Sequence, residues 1–398
     1  MPSKQAESAK GGSSSDEDPF LKNTCVYSLS SCMILVLVFF MALPGVLMPY
    51  LTRLRFIKHV PSLEDAGQPS RKPGPVLICQ MNPVSYSNKP PWTYTTDNVP
   101  VHLCTHVVLP LVGLSDFFND MQNFDSLASA PAPMHLAELV ALRRERSELH
   151  ILAGLGSFQD SASLFEGVAQ SQGRTAAFAR NILRWSMVNR LDGILVSGLF
   201  PTREPQNRNE AVRLLKKMAT LFRHREFLLE LPPGAALLRR PGSGKRLARL
   251  VDLAVLPPQW LGRRAALEAL VNSGFPPSRL VAAVRFEALP YSLSQHMDPD
   301  ADASSVPVPY HKLCAQRGWE RLEDGELTLL HRGSSWFISE DAASLEAQAN
   351  RLIQRGLAGI LVWDVSADDY LGFCGPKNAL LETVRNASLE AWKSTLPE

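Results

Sequence analysis

Residues 191–201 read Leu191-Asp192-Gly193-Ile194-Leu195-Val196-Ser197-Gly198-Leu199-Phe200-Pro201. An aliphatic run opened by Asp-Gly and closed by Gly and Pro has the form of a buried β-strand ending at a loop. Period-2 alternation puts residues 195, 197 and 199 on one face of such a strand. Seven more apolar runs of this kind lie at 76–81, 106–114, 149–155, 227–231, 253–256, 280–286 and 358–363. Between them, residues 135–146, 174–188, 209–223, 263–272 and 342–355 space their apolar side chains as helices do. Strands alternating with helices in this way predict a parallel, closed (β/α)8 barrel, a TIM barrel. An open doubly wound sheet is the alternative. The last two runs are unusually far apart. Residues 310–314, 326–330 and 336–338, the last two reading as short strands, predict a small α+β module inserted at 288–340.

The chain has 398 residues, 41 Lys and Arg against 39 Asp and Glu, and a formal net charge of +2. Near-neutral balance gives no basic groove for nucleic acid. Arg clusters such as Arg143, Arg144 and Arg146 read as solvated helix faces.

No charged residue occurs between Lys22 and Arg53. A bilayer span takes about 20 apolar residues, so residues 26–50 are expected to be a transmembrane signal anchor. A cleaved signal peptide is the competing reading, but the preceding tail is long and Ala42-Leu43-Pro44-Gly45 is a poor cleavage site. Arg53, Arg55 and Lys58 after the span favour a cytosolic C-terminus. Six cysteines and the sequon Asn386-Ala387-Ser388 point the other way. The expected organisation is a type II membrane protein: a disordered cytosolic tail at 1–22, the anchor, a linker at 51–74 and a lumenal or extracellular barrel at 75–386. A short tail at 387–398 completes it. Four cysteines in the barrel suggest two disulfides or four reduced core thiols.

Further segments resemble the chitinases and chitinase-like lectins of glycoside hydrolase family 18, over residues 76–381. Leu103-Cys104-Thr105-His106 is similar to the family's second-strand motif. Residues 149–158 resemble its third-strand motif, with Gly156 kept and Ser157 and Phe158 substituted. Gly359-Ile360-Leu361-Val362-Trp363, followed by Asp368-Asp369-Tyr370, is close to its eighth-strand pattern. The resemblance implies the pairs Cys79–Cys104 and Cys314–Cys374. It implies neither cofactor nor metal.

Family 18 hydrolases use the substrate's own acetamide as nucleophile, and are exceptions to the two-carboxylate scheme. The resemblance therefore implies one general acid, the glutamate ending DGxDxDWE, and an aspartate two places earlier that orients the acetamide. In this chain Asp192 and Gly193 hold the opening pair, while Leu195 and Ser197 stand for the inner aspartates and Leu199 for the acid. Leucine has no proton to give, so loss of hydrolysis is expected. Gln259 and Trp260 fall where the family supports the acetamide, and Trp363 falls at its central sugar platform. Trp363, Phe158, Trp260 and Phe200 would supply stacking surfaces, with Gln259 and Asp364 as polar neighbours; core packing is the other reading of Trp363. The expected function is a pseudoenzyme that binds an N-acetylglucosamine-containing glycan or serves as a scaffold for an unidentified protein. A hydrolase with relocated carboxylates at Glu230, Glu287 and Asp364 is the alternative.

Overall fold

The computed structural model describes residues 74–110, 136–156, 165, 167–169, 171–199, 208–231, 242–258, 264–291, 306–316, 318–324 and 327–396. The barrel belongs to a compact unit, Ala66–Glu398. The expected N-terminal tail, membrane span over 26–50 and linker up to residue 73 lie outside the described residues. Among the described residues, no helix is long and apolar enough to cross a membrane.

In chain order the first strands are β1 (Val76–Gln80), β2 (His106–Pro110), β3 (His150–Leu155), β4 (Gly193–Val196), β5 (Glu226–Glu230), β6 (Leu253–Leu256) and β7 (Leu280–Arg285). Next come β8 (Glu287–Pro290), β9 (Val308–Pro309), β10 (Glu320–Asp324), β11 (Leu327–Arg332) and β12 (Ser335–Ile338), before β13 (Gly359–Trp363). Strands β1 to β7 pair in sequence, all parallel, and β13 closes the ring between β7 and β1, with Val76 opposite Gly359. Closure decides against the open sheet. Strands buried on both faces need apolar residues in nearly every position, which is why these runs show little polar alternation.

Two apolar layers result. Val76, Ile78, Val108, Leu152, Leu195, Leu228, Val255, Ala283 and Leu361 form the plug inside the barrel. The alternate residues, among them Val107, Ile151, Ile194, Phe227 and Ile360, pack in the larger cluster with the helices. Those helices are α1 (Leu136–Ala141), α2 (Gln172–Val188), α3 (Arg208–Leu221), α4 (Ser243–Ala248), α5 (Arg264–Asn272), α6 (Tyr310–Cys314), α7 (Ala342–Gln354) and α8 (Ala379–Ser394).

At the N-terminal end of the barrel one device recurs. The residue just before an even-numbered strand accepts the amide of the second residue of the strand before it. Thr105 Oγ1 accepts from Leu77 N at 2.9 Å, Asp192 Oδ2 from Ile151 N at 2.7 Å, and Asp252 Oδ2 from Phe227 N at 2.8 Å. Asp192 also binds the Arg143 guanidinium. Its carboxylate therefore works at the base of the barrel, far from the mouth, and is structural.

Strands β8 to β12 form a separate five-stranded antiparallel sheet in the order β10-β11-β12-β8-β9. It occupies the place expected for the insertion. The expected strand at 326–330 is Leu327–Arg332, and β8, β9 and β10 were not legible as strands. Cys79 and Cys104 are bonded, and so are Cys314 and Cys374, at Cα separations of 5.9 and 5.8 Å. Helix α8, unread in the sequence, runs past the expected domain boundary at 386 and buries Ala387, Ser388 and Ala391. Asn386 on that helix is exposed. The Asp368-Asp369 pair anchors this end. Asp368 accepts from Leu381 N at 2.9 Å and Leu380 N at 3.3 Å, and Asp369 from the amides of Gly372, Phe373 and Cys374.

Candidate functional site at the barrel mouth

Barrel enzymes of this architecture carry their chemistry at the C-terminal ends of the strands. Two residues beyond the apolar plug, strand alternation brings Gln80, Ser197, Glu230, Arg285 and Trp363 to the inner face at that end. Trp363 is half-buried and packs on the plug from above. The Arg285 guanidinium lies 5.6 Å from the centroid of its ring, within cation–π range. The two residues are register partners on β7 and β13, so neighbouring strands set this contact.

Three carboxyls border this layer. Burial pushes Glu230 up, against a hydrogen bond from Ser197 and the charge of Arg285. Burial and then the charge of Asp364 push Glu287 up to about 7, against Arg285 at 3.8 Å. Burial also raises Asp364, although it accepts from Ser366 N at 3.0 Å, from the Ser366 hydroxyl, and from Asn82 Nδ2 at 2.9 Å. Asp364 adopts φ +67°, a left-handed conformation that Asp tolerates better than most residues. Its carboxylate caps the short turn Val365–Ala367, so it holds a loop. Among the described residues, Gln80 Oε1 and Glu230 Oε2 are buried without a hydrogen-bond partner. Such atoms are costly unless water or a ligand meets them.

The acid-motif positions divide. Leu195 is fully buried inside the plug, as alternation requires, and Ser197 is buried at the mouth beside Glu230. Leu199 does not join them. It is 2% exposed and belongs to the cluster shared with the helices. The strand ends at Val196 and Gly198 takes φ +67°, so the period-2 pattern is broken before residue 199. Phe158, Phe200, Gln259 and Trp260 lie outside the described residues. Arg285 was missed in the sequence, although it stands two residues after the plug residue Ala283.

At the other end of the barrel the sequence reading missed a second polar group. His106, His150 and Glu226 are the first residues of β2, β3 and β5. Burial opposes the Glu226 charge, but His106 and His150 overcome it and hold the carboxyl well below the usual range. The hydrogen bond to Glu226 in turn raises His150.

No protein-family model matches the chain. It is 19% identical over 350 residues to an endochitinase from Manduca sexta, covering 73% of this chain and 63% of the relative, less than two thirds of that protein's length. It is 21% identical over 365 residues to chitotriosidase-1 from Mus musculus, covering 78% and 77%. Among solved structures, the Ostrinia furnacalis group IV chitinase bound to allosamidin superposes with a TM-score of 0.65 at 17% identity, over 80% of this chain and 99% of that one. The chain is chitinase-like. Its fold is the barrel of glycoside hydrolase family 18, shared also by human YKL-39, with a TM-score of 0.64 at 17% identity over 79% and 99%. YKL-39 is described as a pseudo-chitinase with retained chitooligosaccharide binding properties. In the chitinase-like chain the Trp363 layer occupies the end of the barrel where such folds place their sites.

Proposed function

We propose that this chitinase-like protein is catalytically silent and binds an N-acetylglucosamine-type glycan at the barrel mouth. The observation that carries this reading is a division of fates. The position resembling the family's general acid holds Leu199, packed among apolar neighbours, whereas Trp363 keeps a half-buried ring at the mouth. A sugar ring stacks on an aromatic face, and the buried Gln80 and Glu230 oxygens offer acceptors for its hydroxyls. The pseudo-chitinase described for YKL-39 supports the same combination of lost hydrolysis and kept binding.

The test is calorimetric titration of the full-length chain with N-acetylglucosamine oligomers, alongside a fluorogenic chitobioside. Saturable binding that strengthens with oligomer length, disappears in Trp363→Ala and comes without cleavage is the expected result. No heat at millimolar sugar would overturn it and leave the mouth to a protein partner. One observation favours a relocated hydrolase as the second reading: Glu287 is held near 7, a value suited to a general acid. Cleavage that Glu287→Gln abolishes would establish that reading instead.

The anchor over residues 26–50 belongs to the same proposal, with the barrel lumenal or extracellular. Support comes from the uncharged stretch between Lys22 and Arg53 and from the two disulfides, which persist in oxidising compartments. An Asn386-dependent mobility shift on deglycosylation is expected. An unshifted chain whose barrel is digested by protease added outside sealed microsomes, the cytosolic side, would reverse the orientation.

A further inference from the structure

At the base of the barrel, His106 Nε2 lies 3.1 Å from Glu226 Oε2, and His150 Nδ1 lies 3.2 Å from Glu226 Oε1. The two imidazole rings are tilted at 39° with centroids 4.6 Å apart, and the three donor atoms all fall within 4.8 Å of one another. Zinc bound tetrahedrally by nitrogen and oxygen at about 2.0–2.2 Å sets its donors roughly 3.3 Å apart. The two histidine–carboxylate separations, 3.1 and 3.2 Å, match that spacing.

Hydrogen-bond accounting favours a proton on Nδ1 of His106. The Thr105 hydroxyl accepts from Leu77 N and donates its single hydrogen to Leu77 O, both at 2.9 Å. Its 2.8 Å contact with His106 Nδ1 is then made by an Nδ1–H donating to the remaining lone pair. With Nδ1 engaged by Thr105, His106 meets the Glu226 carboxylate through Nε2, as an imidazolium donor when the site is empty and as a lone-pair ligand when a metal ion replaces that proton. An imidazole oriented through its far nitrogen by a neighbouring acceptor is the usual setting of a metal-bound histidine.

The packing allows for this group. His106 is 2% exposed, while His150 and Glu226 retain some access to solvent, which gives an ion an entry path. Gly193 opens β4, between the strands carrying His150 and Glu226. A Cβ there would come within 2.0 Å of the Glu226 carbonyl oxygen, so the bare glycine lets β5 bring its carboxylate in. Pairing by protons alone takes one imidazolium, at His106, and a neutral His150 donating Nδ1–H to the same carboxylate; a single metal ion would displace both protons.

We propose that His106 Nε2, His150 Nδ1 and the Glu226 carboxylate bind one zinc ion that ties β2, β3 and β5 together at the base of the barrel, with solvent completing its coordination. The sequence reading expected no metal, because its three ligands stand on separate strands with none of the short spacings that announce a zinc site. Two imidazoles and a carboxylate suit zinc, which takes such nitrogen and oxygen donors in tetrahedral sites. The placement argues for a structural ion, since the N-terminal face of a barrel serves stability.

The test uses the full-length chain stripped with chelator, titrated with zinc chloride by calorimetry and with cobalt(II) by absorption. The expected result is one equivalent bound and visible cobalt ligand-field bands, both lost in His150→Ala and in Glu226→Gln. Thr105→Val should weaken zinc binding by about 10–100-fold, as loss of an outer partner does, while Thr105→Ser, which keeps the hydroxyl, should bind like the parent. Absence of zinc uptake by a folded parent chain would overturn the proposal in favour of a proton-linked network. Uptake that His150→Ala leaves unchanged would overturn it by placing the ion elsewhere.

Discussion

Glu226 and Glu230 stand at the two ends of the same five-residue strand, about 13 Å apart along it. Both face the barrel interior and both are desolvated, yet their carboxyls are driven in opposite directions. At the base two imidazoles surround Glu226 and hold it charged. At the mouth Glu230 has one hydroxyl and a guanidinium that is itself disfavoured by burial, and the neutral acid gains. Burial alone decides neither case. The sign follows from what the adjacent strands place beside each carboxyl, so one end of the barrel is tied together and the other keeps polar groups short of partners.

Substitutions can break that contrast. The largest effect is expected for Glu226→Gln, which leaves His106 and His150 facing each other without the carboxylate. Loss of about 3 kcal/mol in unfolding free energy by chemical denaturation is the outcome, and an unchanged denaturation midpoint would remove the base from the comparison. A smaller effect comes from Glu287, whose folded value of about 7 lies above its ordinary 4.5. The folded state holds this proton more tightly than the unfolded chain does. Its contribution is therefore fully present below about pH 4.5 and lost as pH rises to about 7. Comparing the parent with Glu287→Gln across that window should show about 2 kcal/mol of pH-dependent stability that the variant lacks, the roughly 3 kcal/mol of the full shift being reduced by partial solvent exposure; parallel curves would mean that Arg285 cancels the burial. The smallest effect is expected for Glu230→Gln, a gain of about 1 kcal/mol at pH 7.5, because a buried acid with too few partners becomes neutral. Destabilisation there would show Glu230 to be as well supported as Glu226.

The legible part of the molecule was the part governed by local pattern. All eight barrel runs lie within two residues of their predicted starts, because a strand buried on both faces is a short aliphatic run wherever it occurs. The five predicted helices were found where their apolar spacing put them. Helix α8 escaped because its small buried residues, Ala387, Ser388 and Ala391, make a weak apolar stripe. At the site, Trp363, Glu230 and Glu287 do gather at the mouth. Asp364 is engaged by Asn82, which lies 282 residues away in sequence, and no spacing rule reports such a contact.

The sequence by itself determined the strands, the plug residues such as Leu195 and the absence of an ionisable side chain at residue 199, since side-chain alternation and residue chemistry are local properties. Only the tertiary structure decided that Leu199 turns away from the mouth, because a left-handed Gly198 resets the alternation after the strand has ended. It alone brought His106, His150 and Glu226 together, because ring closure and strand stagger determine which strand ends face one another across a barrel.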